Sequence, residues 1–224
     1  MSKYRDTKPS LEFYIEKLNK KEYFSMIRFG DGEWNNILKK EYSDSTRINN
    51  EMKFYKEAQE DLKKTIHESK ECDSFFYGLQ NLAKRLFGKK IPDSFDWHEC
   101  DVFHYASIDG NLPDLIDAMK KWDIVFVGGK YLRKINKIVP YTHFIEIPET
   151  DCYPKKDSIV KEILEYGKEK KDTIYCFSAS VVTNIFIYEL FDDLGKDNWL
   201  IDFGSIWDPY VGRQTRSYHR KIKV

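Results

Sequence analysis

From residue 112 onward the chain alternates between short apolar runs and segments of helical spacing. The apolar runs are Asp123–Val127, His143–Pro148, Thr173–Phe177 and Trp199–Phe203. Helical spacing covers 112–121, about 130–138, 156–170 and 181–194. Near-continuous apolar strands are buried on both faces, and helices of this length supply the crossovers that parallel pairing needs. This pattern leaves few folds open. It predicts an α/β chain: a mainly parallel sheet with helices on both faces. Ligands of such sheets bind beyond the carboxyl ends of the strands.

The first half is less regular. Leu11, Tyr14, Ile15 and Leu18 predict a helix within 8–20, and a strand follows at 24–29. Met52, Tyr55, Ala58, Leu62 and Ile66 form the stripe of a long charged helix over 50–70. Further strands are expected at 73–77 and 101–106. No repeat or linker interrupts the 224 residues, so residues 1–224 read as a single domain. A chain of this length buries about 70% of its unfolded surface and needs no staples.

Lys plus Arg equals Asp plus Glu at 37 each, which argues against nucleic acid as a partner. The four cysteines, Cys72, Cys100, Cys152 and Cys176, include no Cys-x-x-Cys pair, so a zinc site is not expected. Cys72 and Cys176 lie in strand-like runs and read as small core residues. No apolar segment follows Met1, and the apolar runs are too short for a membrane span. Reduced thiols in a cytoplasm are the expectation. The sequence leaves a homo-oligomer open.

Ser25-Met-Ile-Arg-Phe-Gly-Asp-Gly-Glu-Trp34 is the stretch richest in chemistry. It reads as a buried strand running into a loop with carboxylates at Asp31 and Glu33. Hard cations such as Mn2+ and Mg2+ take oxygen ligands, often one or two carboxylates, and leave other positions to substrate phosphates. Gly30 permits a sharp turn and close ligand approach. Arg28 can grip a phosphate with two N–H groups. The plainer reading is a polar Asp-Gly turn.

Three other strand-end stretches carry similar alternatives. Gly128-Gly129-Lys130 either offers backbone amides to a phosphate or is a tight turn with a surface lysine. Ser178-Ala179-Ser180 either caps a helix or presents free amides to a diphosphate. In Asp202–Asp208, Asp202 suits a ribose hydroxyl or a metal-bound water, Ser205 breaks the strand, and Asp208 suits a base or a loop cap. If their strands run parallel, these loops share one rim. Residues 213–224 hold Arg213, Arg216, Arg220, Lys221 and Lys223 with no acid, read as a solvated tail or as a flap over a diphosphate. The five histidines show no ligand spacing.

Three blocks of the chain resemble the GT-D type glycosyltransferases, which are Rossmann-like and carry an Asp-x-Glu metal motif. The blocks are Ser25–Trp34 with Arg-Phe-Gly-Asp-Gly-Glu, Trp122 through Pro148, and Thr173–Asp208 with Ile201-Asp-Phe-Gly-Ser205. Phe177–Ser180 and the residues after Gly204 depart from the family's pattern. The resemblance implies a metal-dependent glycosyltransferase. The donor would be a nucleoside diphosphate sugar, a UDP-sugar first, and the acceptor a glycan or glycoconjugate. Asp31 and Glu33 would hold Mn2+ or Mg2+. Arg28, Gly30, Gly129, Lys130, Ser178, Ser180, Asp202 and Ser205 would hold the donor, and Asp208 would be the acceptor base. Two other readings use the same residues: a metal-dependent phosphohydrolase or nuclease, and a non-catalytic nucleotide-binding module.

Overall fold

Among the described residues seven parallel strands form one sheet in the order β3-β2-β1-β7-β6-β4-β5. They are β1 (Ser25–Phe29), β2 (Phe75–Leu79), β3 (Trp97–Glu99), β4 (Asp123–Gly129), β5 (His143–Ile147), β6 (Thr173–Ser178) and β7 (Trp199–Asp202). The helices are α1 (Leu11–Asn19), α2 (Asp31–Leu38), α3 (Lys56–His67), α4 (Asn81–Phe87), α5 (Val102–Ile108), α6 (Leu112–Met119), α7 (Lys156–Gly167) and α8 (Val182–Leu194). This computed structural model describes residues 3–39 and 53–222. Met52, read as the start of the long helix, lies outside them. Within the described part of that expected helix, Lys56–His67 forms α3, and residues 53–55 and 68–70 lie outside it.

The two-residue period of the strands divides the apolar residues between two cores. Ile27, Val125, Val127, Tyr175, Phe177 and Leu200 face one core, which α3, α7 and α8 cover. Met26, Ile124, Phe126, Ile174, Cys176, Trp199 and Ile201 face the other, which α1, α5 and α6 cover. Each strand except the edge strand β3 therefore contributes to both layers, which is why these strands read as apolar runs. Among the described residues no helix is long and apolar enough to cross a membrane.

Several sequence expectations are corrected. Residues 101–106 are not a strand. Val102–Ile108 is helix α5, in which Val102, Phe103 and Ala106 turn onto one core. Aromatic and β-branched content favours a strand there, but burial against α1 and α6 decides the conformation. Gly30–Glu33 is not an extended loop, because Asp31 opens helix α2. Residues 130–137 form a 3-10 helix. Cys72 is exposed ahead of β2, whereas Cys100, Cys152 and Cys176 are buried, and all four are free thiols. The basic C-terminal stretch is no solvated tail in its described part: it forms a 3-10 helix at Ser217–Lys221 with His219 buried.

The sheet opens where the site lies. β1 and β7 pair only at Ser25↔Leu200 and Met26↔Ile201. Beyond Met26 the Arg28 backbone has no strand partner on that side, and Asn184 of α8 takes its place. The Asn184 side-chain oxygen accepts from Arg28 N–H at 3.2 Å, and its amide donates to the Arg28 carbonyl at 2.9 Å. A buried amide thus satisfies both backbone groups of a strand end that its neighbour has left.

Candidate active site

A pocket of about 550 Å3 lies at the carboxyl ends of β1, β7 and β6. Its lining draws on three of the four expected stretches: Gly30–Glu33, Ser178–Ser180 and Asp202–Asp208. The fourth contributes differently. Gly129 and Lys130 do not line the pocket, and Lys130 is exposed, but the next residue, Tyr131, does line it. A β-carbon on Gly129 would meet Tyr131 and Glu149, each at 2.9 Å, so this glycine is needed for packing.

Helix α2 explains how the two carboxylates are presented. Gly30 is its N-cap in extended conformation, and the Glu33 Oε2 reaches back to accept from Gly30 N–H at 2.7 Å. That is half of a capping box, and acids in a first turn also favour the helix dipole. Glu33 therefore has a structural task besides any catalytic one. Burial pushes its carboxyl up to about 7; the Asp202 charge adds to the rise, while backbone N–H groups and Arg28 oppose it. Asp31 is exposed at the pocket edge.

Arg28 projects from the last turn of β1 into a closed polar set. Its Nε lies 3.2 Å from Asp202 Oδ2, both side chains being nearly buried. Burial alone would lower the guanidinium, but Asp202 more than offsets this, so Arg28 stays charged. Asp202 is itself held by Gly204 N–H, which donates to Oδ1 at 2.8 Å. On the other side Arg28 Nη1 lies 3.3 Å from His104 Nε2. A guanidinium only donates, so that nitrogen must accept and the His104 proton sits on Nδ1. Nδ1 then donates to Asp101 Oδ1 at 3.1 Å, while Asp101 Oδ2 accepts from Asn81 N–H at 2.8 Å. Burial pushes His104 down and Arg28 adds to this; Asp101 opposes it, and the ring remains neutral.

His104 and Asp101 were not singled out from sequence. The pair at i, i+3 is a signal only once 101–106 is a helix. Reading that segment as a strand put the two side chains on opposite faces. Gln80 was missed as well. Its Oε1 is buried without a partner and lies close to where a Gly30 β-carbon would sit, as does the Glu33 carboxylate.

The C-terminal stretch forms one wall. Tyr218 stacks on His104 with ring centres 4.4 Å apart, and its hydroxyl lies 3.2 Å from Ser205 Oγ. Arg213 pairs with Glu149 at 2.9 Å and lies over the Tyr131 ring at 3.6 Å. Asp208 ties this wall down: Oδ1 accepts from the Tyr131 hydroxyl at 3.0 Å and Oδ2 from Thr215. With both oxygens engaged, the buried Asp208 has the bonding of a loop cap. Ser178 and Ser180 border the pocket, and the Ser178 hydroxyl is buried without a partner.

No protein-family model matches the sequence, and no curated protein does. Solved structures do. One, described as the highly conserved domain of unknown function 1792 with a distinct glycosyltransferase fold, superposes with a TM-score of 0.66 at 14% identity. The match covers 95% of this chain and 88% of that one. The chain has a glycosyltransferase fold. A selenomethionine-substituted structure of domain of unknown function 1792 matches with a TM-score of 0.65 at 15% identity, over 88% of this chain and 78% of that one. The mainly parallel sheet expected from sequence is thus the all-parallel sheet of a glycosyltransferase-like α/β fold.

Among the described residues no group of three or more His, Cys, Asp or Glu is arranged to hold a metal. The donors at hand are the Asp31 and Glu33 carboxylates and the unpartnered Gln80 oxygen. All are hard oxygen donors, the chemistry that suits Mg2+ or Mn2+ when phosphates and water complete the shell.

Proposed function

We propose that this protein is a metal-dependent glycosyltransferase that takes a sugar from a nucleoside diphosphate sugar, a UDP-sugar first, to a glycan or glycoconjugate acceptor. The observation that carries the reading is the grouping of Asp31, Glu33 and the charged Arg28 at the carboxyl rim of the central strands of a glycosyltransferase fold. The pocket volume lies in the ordinary range for a small-molecule site.

In this reading Asp31 and Glu33 hold Mn2+ or Mg2+, which when bound neutralises charge on the leaving diphosphate. Arg28 is a fixed cation facing the same space, preorganised by Asp202 and His104, so it needs no rearrangement as charge develops. Ser178 and Ser180 face the diphosphate, and Ser205 and Asp202 the nucleoside side. Gly129 and Lys130 act only through the placement of Tyr131. Asp208 remains the candidate acceptor base. Its Oδ2 is bonded to Thr215, so taking up a proton requires that bond to open.

The test is thermal denaturation with UDP, GDP, CDP and their sugars, each with and without Mn2+. A ligand that binds only the folded state raises its melting temperature by mass action. A Mn2+-dependent rise with one nucleotide supports the reading and identifies the base. Release of phosphate from a nucleotide without any sugar acceptor favours a phosphohydrolase. A nucleotide shift indifferent to metal favours a binding module.

A further inference from the structure

Among the described residues the large apolar side chains that stand exposed are Leu82 and Leu86, at 38% and 59%. They sit four residues apart in α4 and so share one face of it. The same segment is strongly basic. Between Asn81 and Pro92 the chain has Lys84, Arg85, Lys89 and Lys90 and no acid, the next being Asp93, although the whole sequence is charge-balanced. All four cations are exposed, and none is ion-paired with another described residue. The place is specific too, because Leu82 lines the pocket mouth.

We propose that α4 and the turn after it dock this protein on an anionic membrane surface. Leu82 and Leu86 would enter the headgroup boundary, and Arg85 beside them on α4, with Lys89 and Lys90 in the turn after it, would meet lipid phosphates. Basic residues flanking a small apolar face are the arrangement that interfacial binding uses, since apolar burial and attraction to anionic lipid add. A second copy of the chain fits this face less well. A twofold contact would set the four cations against their own copies. Two leucines also offer far less apolar area than a stable protein interface buries. Docking does not depend on the transferase reading. Combined with it, docking turns the pocket mouth toward the lipid–water boundary, which suits an acceptor carried there.

The test is flotation of the full-length protein with phosphatidylcholine vesicles, with and without phosphatidylglycerol, at low and raised salt. Two variants accompany it: Leu86→Ser, and the combined Lys84→Gln, Arg85→Gln, Lys89→Gln and Lys90→Gln. All these side chains are exposed and outside the pocket, so unchanged melting temperatures are expected. The native protein should float only with phosphatidylglycerol and be released by salt. Each variant should lose roughly tenfold or more in partitioning. No binding to anionic vesicles, or equal binding by the variants, overturns the proposal. So does a dimer in sedimentation velocity that Leu86→Ser dissolves without any vesicle binding.

Discussion

The Arg28 guanidinium lies so close over Gly204 that a β-carbon there would sit 1.8 Å from Nη2. Gly204 also has φ +54, a conformation that side chains rarely adopt. The end of β7 and the side chain from β1 are thus fitted to one another, and the fit fixes where the cation points.

Gly204→Ala should therefore act on the site before it acts on the sheet. The methyl group displaces Arg28 from Asp202 and adds backbone strain. A loss of about 2–3 kcal/mol of stability is expected in urea unfolding. Nucleotide-dependent thermal shifts should vanish even where the variant remains folded. Retention of a full shift would show that Arg28 does not contact the ligand.

Glu33 has two tasks that substitution can separate. Glu33→Gln keeps an oxygen to accept from Gly30 N–H while removing the charge. Glu33→Ala loses both. The first should keep a near-native melting temperature and lose the Mn2+-dependent nucleotide shift, with donor turnover falling at least roughly 100-fold. The second should cost a further ~1 kcal/mol through the helix cap. Native turnover in Glu33→Gln would remove Glu33 from the chemistry.

His104 is a positioning residue for Arg28. His104→Phe keeps the aromatic face for Tyr218 but leaves Arg28 Nη1 and Asp101 without their shared partner. Such a loss in a buried network costs about 1–3 kcal/mol. The Michaelis constant for the donor should rise more than the turnover number falls, because the guanidinium loses its aim and keeps its charge. Steady-state kinetics read this split.

His98 sets a pH dependence of stability. Its Nδ1 is hydrogen-bonded to the buried Tyr14 hydroxyl at 2.9 Å, and the ring stacks on Phe76. Burial pushes its pKa down to about 4, helped by Lys17 and opposed by Asp96. The unfolded chain takes up this proton near pH 6.5 and the folded chain only near 4. The contribution is fully present above the unfolded value and is lost as pH falls between them, by about 3 kcal/mol. The pair Tyr14→Phe and His98→Phe removes both partners, and denaturant titrations from pH 7 to 4 should show a flatter slope.

Legibility in the sequence followed burial. β4, β5, β6 and β7 stood out because strands covered on both faces must be apolar throughout, and their parallel pairing then placed the loops on one rim. The N-terminal half hid more. β3 is a three-residue edge strand of intermediate burial, too short to show a period. α2 was hidden because Asp-Gly is a strong turn pair, although Glu33 three residues after Gly30 was its capping signal. The network of Asp101, His104 and Arg28 could not be read at all: it joins residues 76 apart, and only the packing of α5 beside β1 creates it.

All seven strands are complete by Asp202, and beyond Val211 no described residue belongs to either apolar core. The wall holding Arg213, Thr215 and Tyr218 is therefore hung on a scaffold that can assemble without it. Chain order separates building the protein from building its pocket. A cut after Val211 should leave a folded sheet whose pocket is open to solvent on one side.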